Sequence, residues 1–172
     1  MEQARGSQAP LWAYVGTIVF TIVVPGSLVV LVPYLISRWE FGPAIFEIGA
    51  SRWIGVAMFV AAVPAFAKFL ARFVREGHGT PAPIAPPRWL VVGGIYRYVR
   101  NPAYIAVVAM IVGQALFFGN IQVLEYAIVV AIAFHLFVIL YEEPTLRQTF
   151  GADYDDYCRS VPRWIPRLRS RD

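Results

Sequence analysis

The chain has 172 residues, of which 58% are hydrophobic and 15% charged, with a formal net charge of +4 and a pI near 9.5. Soluble domains carry roughly a quarter charged residues, so this composition excludes an ordinary soluble domain and suits one domain built from a handful of membrane spans. The basic excess does not indicate nucleic acid either. Lys68, Arg72, Arg75, Arg88, Arg97 and Arg100 flank one central loop, while Arg147, Arg159, Arg163, Arg167, Arg169 and Arg171 lie in the tail, which is the positive-inside pattern.

Four apolar stretches predict an all-α, polytopic membrane fold in a single domain over 1–172. The first covers about 11–36, too long for a signal peptide, and reads as an uncleaved span. Pro25 and Pro33 should kink it or end its regular part early, and Trp12, Tyr14, Tyr34 and Trp39 fall near its ends, where amphipathic rings favour the interface. The second covers about 53–73 and contains Pro64. A central loop with Pro81, Pro83, Pro86 and Pro87 reads as extended chain, and His78 within it as solvated.

The third span, about 102–119, is locally specified: Asn101 is a good N-cap, Pro102 suits a first helical position, and Gly119 can adopt a left-handed C-cap. The fourth, about 121–141, should stop before Pro144. These two therefore form a tight helical hairpin, followed by a short helical tail over 142–172. Two spans separate the arginine-rich loop from the arginine-rich tail, so both are expected on the cytoplasmic side, here of a bacterial inner membrane. Cys158 is the only cysteine, which excludes an intrachain disulfide and a cysteine metal site; no metal is expected, and Cys158 reads as a plain thiol in a polar tail.

The hairpin brings the start of the third span beside the end of the fourth, so Arg97, Arg100 and Tyr104 are expected near Glu142 and Glu143. Interfacial anchoring explains the arginines alone equally well. Two carboxylates at a helix C-terminus oppose its dipole, however, and need a cation, either those arginines or a ligand. S-adenosylmethionine fits chemically: carboxylates suit its ammonium or ribose, guanidinium its carboxylate, and tyrosine faces its adenine. These residues permit that ligand without selecting it. His135, seven residues before Glu142, is expected either to line a pocket or to hydrogen-bond a neighbouring helix.

From Gly94 to Leu168 the chain resembles the isoprenylcysteine carboxyl methyltransferase and phospholipid methyltransferase superfamily of small membrane enzymes. The matching elements are Arg100-Asn101-Pro102-Ala103-Tyr104, then Gly113-Gln114, the pair Glu142-Glu143, and Phe150-Gly151 with Tyr154 and Tyr157. Val161-Pro162 and Ile165-Pro166 resemble the family's ending, and Gly79-Thr80-Pro81 with Pro83 resembles its bacterial members. Where prenylcysteine enzymes carry histidine, this chain has Asn101.

The resemblance implies S-adenosylmethionine as cofactor and a lipid-phase methyl acceptor as partner, alongside membrane lipids. Taken with the expected hairpin placement, Arg97, Arg100 and Glu142 are the catalytic candidates. Tyr96, Arg100, Asn101, Pro102, Tyr104, Gln114, Glu142 and Glu143 would bind the cofactor, and His135 the substrate. The alternatives are a membrane reductase of related helical architecture and a non-enzymatic membrane protein.

Overall fold

Hydrocarbon offers no partner for a backbone N–H or C=O, so a chain this apolar has to pair its backbone within helices. The computed structural model describes residues 11–77, 90 and 92–167, and among these every regular element is helical. The proline-rich loop, His78 and the Gly79-Thr80-Pro81 match lie outside the described residues.

Helix α1 (Leu11–Gly26), a π-helical turn (Ser27–Leu31) and α2 (Val32–Ser37) follow one another without a break. Regular α geometry thus gives way just after Pro25, while the helical run continues past Pro33. In the π turn the Val32 N–H reaches back to the Ser27 carbonyl, and Pro33 has no N–H to give. Leu28 and Val29 thus lose the donors that α geometry would supply. Tyr126 Oη donates to the Leu28 carbonyl at 3.2 Å, and Gln114 Nε2 to the Val29 carbonyl at 2.8 Å. The irregularity persists because the third and fourth spans supply the missing partners.

Helix α3 (Ala50–Gly77) carries Pro64 inside it and extends beyond both predicted ends. Helix α4 (Pro102–Phe118) starts on Pro102 and ends on Gly119, whose φ of 71° is the left-handed cap. Asn120 Oδ1 then accepts from the Val123 N–H at 3.0 Å and caps α5 (Ile121–Phe137). The tight hairpin is as expected.

One predicted boundary needs correction. The fourth span does not stop before Pro144. A second π turn (Val138–Glu142) carries α5 directly into α6 (Glu143–Phe150), with the Glu143 N–H bonded to the Val138 carbonyl. Pro144 has no N–H to give, and it follows the turn in which the hydrogen-bond register has already widened. Glu142 and Glu143 consequently lie within a continuous helical run and not at a C-terminus, so the dipole penalty expected for them does not arise. Helix α7 (Ala152–Ser160) follows Gly151, and residues 161–167 return toward the start of α4.

Ile18–Ser37, Ala50–Ala71 and Ile121–Phe150 are each long and apolar enough to cross a bilayer, and the 17-residue α4 is a shorter apolar helix. Their outward faces carry Ile22, Val60, Val129 and Leu140, each more than 60% exposed. Such surfaces require hydrocarbon around them. The chain is an all-α integral membrane protein.

Helix α4 is the centre of the bundle. Ile111 and Ala115 are fully buried, packed with Val123 and Ala127 of α5, Ala62 of α3 and Val29 of the first span. The α3–α4 contact is backbone against backbone at two glycines. A Cβ on Gly55 would stand 2.5 Å from the Gly113 carbonyl, and one on Gly113 2.8 Å from the Gly55 carbonyl. No side chain fits between them.

At the end away from the glutamates, Arg52 closes α4. Its Nη1 donates to the Phe117 carbonyl at 2.8 Å and its Nη2 to the Gly42 carbonyl at 2.7 Å. A cation on the last carbonyls of a helix also opposes the negative end of its dipole. Arg52→Met is expected to destabilise the protein by about 2 kcal/mol, because two carbonyls lose a charged donor. Thermal unfolding of the purified chain in detergent measures this; an unchanged midpoint would show that water replaces the guanidinium.

Candidate active site

The hairpin mouth is assembled from four pieces of chain. A 3-10 turn (Gly94–Arg97) leads into α4, the second π turn delivers Glu142 and Glu143, α7 presents Tyr154, Tyr157 and Cys158, and residues 161–167 close the circle. Tyr154, Tyr157 and Val161 form a small second core with Leu90, Tyr96, Leu146 and Phe150 around them. Tyr157 Oη donates to the Tyr96 carbonyl at 2.9 Å, and burial pushes the phenols of Tyr154 and Tyr157 up. Both stay neutral as packing groups.

The two glutamates have different surroundings. Glu143 is 6% exposed and takes two guanidinium groups. Arg163 forks onto it, with Nε to Oε1 at 2.6 Å and Nη2 to Oε2 at 3.0 Å, and Arg100 Nη1 reaches Oε1 at 3.0 Å. Hydrogen bonding to that carboxylate raises the Arg163 guanidinium above its ordinary value. Glu142 receives only the Tyr104 hydroxyl, at 2.7 Å on Oε2, and has no cationic partner among the described residues. A half-buried carboxylate with only a neutral donor is costly unless something positive joins it.

Arg100 is more committed than its neighbours. Besides Glu143, its Nη1 donates to Cys158 Sγ at 2.7 Å, and its backbone N–H bonds to the Pro162 carbonyl at 3.0 Å. Its Nε is buried and has no hydrogen-bond partner. A buried guanidinium N–H without an acceptor is a place where a ligand's anionic group would be welcome.

Of the residues singled out from sequence, Tyr104, Glu142, Glu143, Arg100, Asn101, Pro102 and Tyr96 converge on this mouth. Asn101 is buried, but its side chain does not cap α4 as expected: Nδ2 donates to the Arg163 carbonyl at 3.2 Å. Arg97 is exposed and forms no ion pair among the described residues, so only one of the two expected arginines meets the glutamates. Gln114 stands about 15 Å along α4 from Tyr104, with its amide on the carbonyls of Val29 and Met110.

His135 lies on the exposed side of α5, where its Nδ1 accepts from Trp164 Nε1 at 3.1 Å. Tyr104 stacks near Phe134 and Phe137, with ring centroids 4.7 and 6.5 Å away. Sequence reasoning missed Arg163, Trp164 and Cys158. Arg163 was grouped with the basic tail, Trp164 was given no role and Cys158 was read as a plain tail thiol, whereas the returning segment brings Arg163 to Glu143 and Trp164 to His135, and α7 brings Cys158 to Arg100. The only available signal was the similarity of the Val161-Pro162 and Ile165-Pro166 ending to the family's.

A polytopic helical membrane protein with a compensated glutamate, an uncompensated one and a buried arginine donor at one mouth is the class defined by this fold. A family model described as phospholipid methyltransferase matches residues 50–153, more than half of the chain. The chain belongs to that family.

Among curated proteins, it is similar to protein-S-isoprenylcysteine O-methyltransferase A of Arabidopsis thaliana, 30% identical over 142 residues, covering 80% of this chain and 66% of that protein. Protein-S-isoprenylcysteine O-methyltransferase B of the same plant is 36% identical over 78 residues, covering 45% of this chain and 39% of its own. The Schizosaccharomyces pombe protein-S-isoprenylcysteine O-methyltransferase is also 36% identical over 78 residues, 45% of this chain and 33% of that protein. The chain thus spans less than two thirds of the length of each of these relatives. No solved structure matches it significantly.

Proposed function

We propose that this chain transfers a methyl group from S-adenosylmethionine to a lipophilic acceptor at the membrane surface. The observation that carries this reading is the asymmetry of the adjacent glutamates: among the described residues, Glu143 has two arginines and Glu142 has none. A cofactor that is cationic at one end and carboxylate-bearing at the other matches Glu142 on one side and the buried Arg100 Nε on the other. Membership of the family supports the same reading. When bound, S-adenosylmethionine would supply a methyl group already activated on a sulfonium.

The remaining work is positioning. Glu142 balances positive charge, and the Tyr104 hydroxyl fixes that carboxylate. Asn101, Pro102, Tyr96 and the ring of Tyr104 wall the cofactor, and Glu143 holds Arg100 in place. Arg97, exposed beside the mouth, would orient an anionic group of the acceptor. His135 and Trp164 stand on the lipid-facing side, where an acceptor chain would lie. Gln114 serves indirectly, by holding the first span. The positive-inside bias supports a cytoplasmic side for the mouth.

The test is incorporation of radiolabelled methyl from S-adenosylmethionine by the purified chain supplied with lipid extract and, separately, with a prenylated cysteine. Label in an organic-soluble product is the expected result. Absence of both cofactor binding and label transfer would end the proposal.

A further inference from the structure

Arg163 lies beyond the residues matched by the family model, yet it makes the tightest contact in the mouth. It occupies both oxygens of Glu143, at 2.6 and 3.0 Å. Arg100 is left with one oxygen, through Nη1 alone. A guanidinium and a carboxylate left to themselves pair through two parallel hydrogen bonds. Arg163 takes that two-oxygen geometry, so Arg100 meets the carboxylate only through Nη1 on the shared Oε1, and its Nε stays buried without an acceptor among the described residues.

The carbonyl of Arg163 meanwhile accepts from the Asn101 amide at 3.2 Å, and the Arg167 N–H bonds the Tyr98 carbonyl at 3.0 Å. The fork is therefore held from both sides by backbone contacts of the returning segment.

We infer that Arg163 is a positioning residue that takes the two-oxygen fork on Glu143 so that Arg100 keeps a buried donor for a ligand carboxylate. This rests on the methyltransferase reading above. The carboxylate belongs either to the amino-acid end of the cofactor or to an acceptor.

The experiment uses the full chain in detergent, with Arg163→Lys and Arg163→Gln, and calorimetric binding of S-adenosylhomocysteine and of 5′-methylthioadenosine, which lacks the amino-acid end. Lysine keeps the charge but cannot fork. Both variants are expected to lose roughly tenfold in affinity for S-adenosylhomocysteine, the scale of removing a group that orients a ligating side chain. Binding of 5′-methylthioadenosine should not change. In a Glu143→Gln background, adding Arg163→Gln should have little further effect, because the residue acts through Glu143. Unchanged cofactor binding with a raised KM for a carboxylate-bearing acceptor supports the same role with the acceptor as the source.

Wild-type behaviour of Arg163→Lys in both measurements overturns the inference, since charge alone would then suffice. Equal loss for both adenosine ligands overturns it as well, because that reports general damage to the mouth. If the wild-type chain binds neither ligand, the methyltransferase reading fails first and the inference falls with it.

Discussion

Glu142→Gln is expected to reduce S-adenosylmethionine binding and methyl transfer by roughly 100-fold, equivalent to about 2.7 kcal/mol, while the unfolding temperature stays within ~2 °C of wild type. The amide keeps an oxygen for the Tyr104 hydroxyl, so the contact that holds residue 142 survives. Only the charge is lost, and among the described residues no cation depended on it. Glu143→Gln should behave in the opposite sense. It removes the shared partner of Arg100 and Arg163, and stripping a buried ion pair of one member costs about 3–5 kcal/mol of stability. Neighbouring glutamates would then separate into one that acts on ligand and one that holds the mouth together. Labelled-cofactor binding and thermal unfolding, run on both variants, decide this. Wild-type cofactor binding by Glu142→Gln would place the cofactor elsewhere.

Gly55→Ala and Gly113→Ala should each lower the unfolding midpoint by roughly 5–10 °C, although alanine is the better helix former by about 1 kcal/mol. In both cases the added methyl meets a backbone carbonyl of the facing helix, at 2.5 and 2.8 Å. A carbonyl within a helix cannot rotate away, so α3 and α4 must separate and the core around Ile111 loosens. Gly49→Ala is the control, since a methyl there meets nothing within 4 Å. Its midpoint should not move. Equal midpoints for all three variants would show that the two helices are free to shift apart at no cost.

The hairpin shows which parts of the site were open to reading from the chain. Pro102, Gly119 and Asn120 act through their own backbone chemistry, so the ends of α4 and the start of α5 are written locally. Once the hairpin exists, chain length alone brings Tyr104 opposite Glu142 and Arg100 opposite Glu143. Arg97 was expected there as well, but the 3-10 turn before α4 leaves it outward.

Proline was read locally, and the outcome differed between the two spans. Pro25 and Pro33 were expected to kink the first span or end its regular part early, and regular α geometry does give way to a π turn after Gly26; Pro144 was read as a stop, yet the helix continues through a π turn. In the first span, donors that finish the job come from Gln114 and Tyr126, which are 85 and 98 residues away. A local rule cannot include partners so remote. Asn101 is a similar case. Its capping preference is real, but its side chain makes no capping bond and its Nδ2 donates to the Arg163 carbonyl instead.

The tetrad of Arg100, Glu143, Cys158 and Arg163 was the least legible part of the mouth. The hairpin brought Arg100 to the glutamates, but charge clustering left Arg163 in a basic tail and was silent about its partner. That pairing depends on α7 and residues 161–167 folding back under α4, and that path is set by the small core of Tyr154, Tyr157 and Val161.

By itself, then, the sequence determined membrane residence, helical architecture, the hairpin and the family, because hydropathy, capping and ordered motifs act over a few residues or as a summed composition. Only the tertiary structure decided which glutamate is neutralised, that Arg100 keeps a buried donor unpaired among the described residues, and that the tail is a wall of the hairpin mouth. Those outcomes turn on which groups meet across the fold, and a carboxylate's partner is chosen by distance in space.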